Sequence, residues 1–335
     1  MSGRLGFTLY ADVEHEPRKH WIVEGFFGEG ELSCSFGAPS AGKSVIVGDR
    51  NAHIAAGLKW FERRVEKCAV LHVAVERAAV VKRRYAAFRK HHKLDDLPLA
   101  IVNGAVDLRT SINDAKQLAD CCKQLEDITG ERVGFISIET VNRVLAGGDE
   151  NSPKDMGALV DRVSWLQETT GAGIDLVHHI PADGSQRLRG HGALLGAMDV
   201  TGRVEKLSDK TRAYTVDKAN DGIEGERVTF TLQSVELHFD PETGIATTAP
   251  VVIPAEAPAE GVAKANGVKL SPNQSTFLSL LREGMPNGLT LEEWNTKARV
   301  VGIGVKRDAT FYDLREALRS KHLVHSYADR WYASH

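Results

Sequence analysis

An octet of the form G-x-x-x-x-G-K-[ST], Gly37-Ala38-Pro39-Ser40-Ala41-Gly42-Lys43-Ser44, stands between a short apolar run and a stretch of helical period. Few architectures accommodate such a loop. Its small side chains let successive backbone N–H groups converge on an anion at a helix N-terminus, which requires a strand ending before it and a helix starting in it. The chain must therefore be α/β around this point, with the loop at the carboxyl edge of a sheet. In this reading Lys43 brings a point charge to a phosphate chain and Ser44 a hydroxyl to Mg2+, so the expected ligand is a nucleoside triphosphate, ATP, with its metal.

The surrounding sequence has the matching texture. From Trp21 to about Asp240 short apolar runs alternate with longer amphipathic segments, the pattern of a mostly parallel sheet covered by helices. Strands are predicted at 31–36, 69–75, 99–102, 133–138 and 174–179, and helices at 44–56 with Gly57 as a stop, 78–91, 113–129 and 153–169. Ser152, Pro153 and Asp155 make a strong start signal for the last of these helices. Beyond Met198, β-branched and polar residues alternate around Leu207-Ser208-Asp209-Lys210 and Asn220-Asp221-Gly222, which predicts antiparallel hairpins extending the sheet.

A chain of 335 residues with 42% hydrophobic content suits one large core and a small satellite. The domains are expected at 1–248 for the α/β core and 271–335 for a second module. Between them, 249–270 contains Pro250, Pro254 and Pro258 among Ala and Glu, and reads as a linker. The last segment reads as helix, turn, helix, helix and hairpin, with Thr290 and Glu293 as a capping box and a turn at Ala328-Asp329, so a winged helix is expected.

A net charge of −3 gives no whole-chain signature of a polyanion partner, so any such contact must come from local patches. The four cysteines, Cys34, Cys68, Cys121 and Cys122, form no C-x-x-C pair and read as reduced thiols. No apolar stretch has the length of a leader or a membrane span, and a cytoplasmic, soluble protein is expected.

Triphosphate hydrolysis asks for one carboxylate to hold Mg2+ and another to orient or deprotonate water. Glu76 and Glu139 each close an apolar strand, which would bring both to the sheet edge where the loop lies. His178 and His179 end a third strand, where alternation sends one of the two toward the nucleotide to sense its terminal phosphate. Arg187 and Arg189, in the loop that follows, are candidate DNA contacts. So are Lys306 and Arg307, which with Arg315, Arg319 and Lys321 give the last predicted helix a basic bias.

The ordered series resembles the RecA-like ATPases, most closely the RepA-type hexameric replicative helicases and their AAA-domain relatives. The resemblance covers about residues 17–240, and rests on the octet with Trp21-Ile22-Val23-Glu24-Gly25, His53-Ile54-Ala55-Ala56-Gly57-Leu58, Ala146-Gly147-Gly148-Asp149-Glu150-Asn151-Ser152, His178-His179 and Arg189-Gly190-His191-Gly192-Ala193-Leu194. It implies a RecA-like fold, with Lys43 and Ser44 on phosphate and Mg2+, Glu76 acting on the water and Glu139 in the Mg2+ position. It also implies a homo-oligomeric ring, usually hexameric, with single-stranded DNA in its channel. Separately, replication partners are expected to be reached through the C-terminal domain.

Two departures from the family pattern bear on rate. The family usually has Asp where this chain has Glu139, and a carboxylate displaced by about 1 Å can cost on the order of a hundredfold. Lys218-Ala219-Asn220-Asp221-Gly222 resembles the K-x-R-x-G strand end that carries a trans-acting arginine finger, but Asn220 stands in the arginine's place. A finger is worth roughly 10³–10⁵ in rate, so slow turnover is expected unless Lys218, Arg203 or Lys206 substitutes. The first reading is an ATP-driven DNA helicase or translocase acting in replication; the alternative is an ATP-gated oligomeric DNA-binding or adaptor protein with little turnover.

Overall fold

β-Branched and apolar residues in runs of four to seven build the centre of the first unit. The computed structural model describes residues 8–13, 18–180, 192–256, 270–284, 287–304, 309–319, 321, 323–327 and 329–333. Two short strands, β1 (Trp21–Val23) and β2 (Phe27–Gly28), pair antiparallel and precede β3 (Leu32–Gly37), which leads through the loop into α1 (Lys43–Ala56). Gly57, left-handed, ends that helix by donating its N–H to the carbonyls of His53 and Ile54. β4 (Ala69–Ala74), α2 (Ala78–His92), β5 (Leu99–Val102), α3 (Ile112–Thr129), β6 (Val133–Glu139), the single turn α4 (Val141–Val144), α5 (Pro153–Thr170) and β7 (Gly173–His179) then alternate, close to the expected boundaries. Ser111 and Ser152 accept the N–H groups of Asp114 and Asp155, so α3 and α5 both start on a side-chain cap.

α6 (Gly192–Ala197) is followed by β8 (Val200–Lys206), β9 (Arg212–Ala219), β10 (Arg227–Asp240) and β11 (Ile245–Pro254). All but the first two strands join one nine-stranded sheet, in the order β11-β10-β9-β8-β3-β7-β6-β4-β5. From β8 to β5 neighbours are parallel; from β8 to β11 they are antiparallel, as the hairpin signals predicted. The fold is thus α/β with a large, mostly parallel sheet. β6 and β7 lie between β3 and the next strand of that sheet in sequence, β4, which brings the ends of β3, β6 and β4 to the same edge.

The linker begins later than its composition suggested. Ala249–Pro254 complete β11, with Ser234 opposite Pro250 and Phe230 opposite Pro254. β11 is the edge of the sheet, where a strand tolerates prolines because the missing N–H need not serve a neighbour. The chain divides into two compact units, Met1–Pro258 and Ala259–His335, and most of the expected linker, 257–269, lies outside the described residues.

Alternation along the central strands sends two different chemistries to the two faces. Leu32, Cys34 and Phe36 of β3 join Leu71, Ile136 and Ile174 in an apolar layer against α3 and α5. On the opposite face Ser33 and Ser35 donate to the buried Asp175 carboxylate, and Arg50 of α1 reaches the same carboxylate at 2.9 Å. The guanidinium lies over the rings of Phe27 and Phe135, 4.4 and 4.8 Å from their centroids. This fully buried pair ties α1 to the sheet, and removing one partner alone would cost about 3–5 kcal/mol. No helix among the described residues is long and apolar enough to cross a membrane.

The second unit consists of α7 (Pro272–Arg282), β12 (Leu289–Thr290), α8 (Leu291–Val300), α9 (Ala309–Arg319), β13 (Val324–Tyr327) and β14 (Arg330–Ala333). Its three strands form an antiparallel sheet in the order β12-β14-β13. Capping boxes start α7, through Ser271 and Gln274, and α8, through Thr290 and Glu293. Phe277 stacks on Trp294 with centroids 4.1 Å apart, and the indole N–H donates to the Phe277 carbonyl at 2.7 Å, so the large ring is buried with its polar atom satisfied.

Candidate functional site

Glycine is required at both ends of the phosphate-type loop. A Cβ at Gly37 would stand 2.2 Å from the carbonyl oxygen of Val204 on the neighbouring strand β8. Gly42 caps α1 with φ at 102°, a conformation other residues rarely adopt. Between them the chain turns tightly, with Ala41 N–H donating to the Ala38 carbonyl at 3.2 Å. Lys43 is buried, and its ammonium donates to the carbonyls of Gly37 and Ala38, each at 2.8 Å, so that it spans the loop.

Burial lowers Lys43 to about 8, while the charges of Glu139 and Glu76 act to raise it again. The three strand ends therefore place both carboxylates within electrostatic reach of this one ammonium. Glu139, the last residue of β6, accepts a hydrogen bond from the Ser44 hydroxyl through Oε1. Burial pushes its carboxyl upward, but His72, the Ser44 hydroxyl and the Arg84 guanidinium outweigh that and hold it below its ordinary value. It is a carboxylate at neutral pH.

Glu76 follows β4 and is less enclosed. Its Oε2 accepts from the Thr140 hydroxyl at 3.4 Å, and the guanidiniums of Arg143 and Arg77 stand 3.8 and 4.0 Å from Oε1. Because Thr140 directly follows Glu139, the two acids are neighbours across the sheet edge. A hydroxyl and an ionised carboxylate at one point, with a second carboxylate beside them, form a set of hard oxygen donors of the kind Mg2+ takes. The donor set fits the ion.

The two histidines of β7 separate. His178 is fully buried on the α3 and α5 side, with Nε2 3.9 Å from a carboxylate oxygen of Glu150, whose other oxygen accepts from Asn142. His179 instead pairs in register with Gly37, and the next N–H, of Ile180, donates to the Gly37 carbonyl at 3.4 Å. His179 is thus the one beside the loop. Lys218 is engaged with the C-terminal end of α6, donating to the carbonyls of Leu195 and Met198 at 3.0 and 2.5 Å. Asn220 donates through Nδ2 to Asp199 at 3.3 Å, and Arg203 is ion-paired with Asp217 and Glu205 at 2.9 and 3.1 Å. Arg187, Arg189, Lys306 and Arg307 lie outside the described residues.

Sequence reasoning missed the residues that stand behind Glu139. His72, in the middle of β4, is fully buried with Nε2 3.5 Å from Glu139 Oε2, and its Nδ1 lies 2.7 Å from the Tyr85 hydroxyl. Burial raises the Tyr85 hydroxyl, which keeps it a phenol. Its proton can be donated to Nδ1, which leaves the Nε2–H facing the carboxylate. Asn51 reaches the same hydroxyl at 3.5 Å and accepts from Ser137 at 3.0 Å, and Ser137 accepts from Arg50 at 2.9 Å. A polar seam therefore runs under α1 from the Arg50 and Asp175 pair to Glu139. Arg212 is a further omission: a Cβ at Gly42 would stand 3.0 Å from its Cδ, so its side chain flanks the loop. The signal for the seam was available, since Ser33, Ser35, His72, Ser137 and Asp175 all interrupt otherwise apolar strands.

Residues 5–185 match the family model described as AAA domain. Among solved structures the chain is similar to a KaiC-like protein of the hyperthermophilic archaeon Pyrococcus horikoshii, with 16% identity over 71% of this chain and 99% of that one and a TM-score of 0.44. No curated protein matches the chain.

Proposed function

The chain belongs to the AAA domain family of P-loop ATPases, and from that premise we propose that it is a ring-forming ATPase that moves on single-stranded DNA in the manner of RepA-type helicases. The observation that carries the ATPase part is the convergence of Lys43, Ser44, Glu139 and Glu76 at one sheet edge. In this reading the loop N–H groups and Lys43 hold the phosphates, and Ser44 and Glu139 hold Mg2+, which when bound neutralises charge on the terminal phosphates. Glu76, with Arg143 and Arg77 fixing one oxygen, orients the attacking water and accepts its proton. His179 sits at the register position from which a terminal phosphate would be sensed.

The DNA and ring parts rest on the motif resemblance and on the second unit, whose three helices and terminal hairpin suit a winged helix. A specific observation favours the slower alternative, an ATP-gated DNA-binding or adaptor protein. Every side chain proposed to replace the missing finger arginine, except the exposed Lys206, is engaged within its own chain. The discriminating experiment measures mass in solution with and without ATP and Mg2+, together with ATP hydrolysis and strand displacement on single-stranded and forked DNA. A motor should assemble into a ring and hydrolyse several-fold faster on DNA. Assembly without DNA-stimulated hydrolysis would replace this reading with the adaptor, and a nucleotide-indifferent monomer would remove both.

His72 provides a separate check on Glu139. Groups that orient a metal-binding carboxylate are worth about 10–100-fold in metal affinity, so His72→Phe is expected to raise the Mg2+ concentration for half-maximal hydrolysis by about that factor. Metal-free ATP binding should be unaffected. An unchanged Mg2+ requirement would show that His72 only fills space.

A further inference from the structure

Further along α1 than Lys43 and Ser44, the chain gathers three metal-ligating side chains that nucleotide chemistry does not use. Asp49 and His53 stand one helical turn apart on α1, and His92 ends α2. Each offers one ligand atom, and these atoms lie within 4.8 Å of one another. We propose that Asp49, His53 and His92 form a site for a transition-metal dication, Zn2+ above all, that clamps the middle of α1 to the end of α2. The inference goes beyond the proposed function and does not rest on it.

Four features of the site point to a metal. Asp-x-x-x-His sets two donors on one helix face, the same spacing by which paired helical histidines hold zinc. Both α1 ligands are already oriented by outer partners: the Trp60 indole N–H donates to Asp49 Oδ2 at 3.0 Å, and His53 Nδ1 lies 2.8 Å from the Asp49 carbonyl. A backbone carbonyl taking one imidazole N–H leaves the other nitrogen as an electron-pair donor, the usual arrangement of a metal-bound histidine. On the other side, His92 Nε2 is shut off from solvent and meets no hydrogen-bond partner, an expensive state for a buried ring nitrogen. The His92 ring is held in place by stacking on Phe88 at 4.1 Å, with the His53 ring 5.4 Å away.

Zinc bonds of about 2.0–2.2 Å require ligand atoms roughly 3.4 Å apart, so uptake draws His92 inward by an ångström or so, with no change of fold. Two nitrogens and one carboxylate leave a fourth position for water, as three-ligand zinc sites do. Nothing in the acid–base role of Glu76 or Glu139 involves this cluster.

The test uses the full chain, stripped with a chelator and kept free of nucleotide, which would itself bind metal. Zn2+ is titrated against a chromophoric competitor, and Co2+ uptake is followed by its visible absorption. One equivalent of Zn2+ per chain and the intense Co2+ bands of a low-coordinate nitrogen and oxygen site are expected, with the melting temperature raised by Zn2+ and not by Mg2+. His92→Gln and His53→Gln should each weaken Zn2+ by at least about tenfold and abolish the thermal shift, while the neighbouring His91→Gln should leave both unchanged. Should a variant fail to fold, the wild-type Co2+ spectrum decides alone, because weak octahedral bands exclude this ligand set. No stoichiometric uptake, or equal loss in the His91 variant, would overturn the site.

Discussion

Replacing Lys43 with alanine is expected to weaken ATP binding by at least about a hundredfold, since a charge-assisted hydrogen bond contributes about 1.5–3 kcal/mol and this ammonium would make more than one to phosphate. The wild-type chain should also show a pH signature. Burial lowers Lys43 to about 8 in the free protein, so above that pH most molecules must take up a proton there before they can bind a polyanion. The apparent affinity should therefore be level below about pH 8 and fall by up to tenfold per pH unit above it, in the sense that loss of the proton opposes binding. Lys43→Arg, always charged, should bind at a reduced but pH-independent level in the same range. Calorimetric titration of ATP across pH measures all three chains. Undiminished binding by the alanine variant would remove Lys43 from the phosphate site, and a wild-type affinity that stays level well above pH 8 would show that burial does not depress its ammonium.

The parts of this molecule that could be read in advance are those governed by local rules. The octet, Gly57 as a helix stop, the Ser152 cap and the alternation of apolar strands each act over a few residues, and each appears where the sequence places it. The start of the presumed linker, 249–254, failed for a physical reason of longer range. Pro250 and Pro254 discourage a strand locally, and only the position of β11 at the sheet edge makes them harmless. The seam behind Glu139 was missed in the same way, because His72 and Tyr85 become partners only once the fold brings Tyr85 of α2 to His72 of β4. The separation of His178 from His179 was legible as a parity rule. Which of the two belongs to the loop depended on pairing Gly37 with His179 across neighbouring strands, which no single segment carries. Local chemistry thus pointed to the residues at the sheet edge, and tertiary pairing to those that stand behind them.

Glu76→Gln separates binding from chemistry. The substitution keeps the shape of the side chain, so the Thr140 hydroxyl retains an oxygen partner, but it removes the group able to take a proton from water. Loss of a general base typically costs 10²–10⁴ in rate, and kcat for ATP hydrolysis is expected to fall by about that much. ATP affinity should hold or rise slightly, because Glu76 contributes a negative charge near Lys43 that repels phosphate. Glu139→Gln is predicted to behave differently: its carboxylate is bonded to Ser44 and held ionised, so its loss should raise the Mg2+ requirement as well as lower the rate. Single-turnover hydrolysis at saturating and limiting Mg2+ distinguishes the two. If Glu76→Gln turns over normally while Glu139→Gln does not, then Glu76 is a surface carboxylate held by Arg143 and Arg77, and water activation must be sought among the residues beside the loop, His179 first. If both lose only kcat and neither changes its need for metal, the carboxylate facing Ser44 is not a metal ligand, and the hydrogen bond between them serves instead to hold the first turn of α1 against β6.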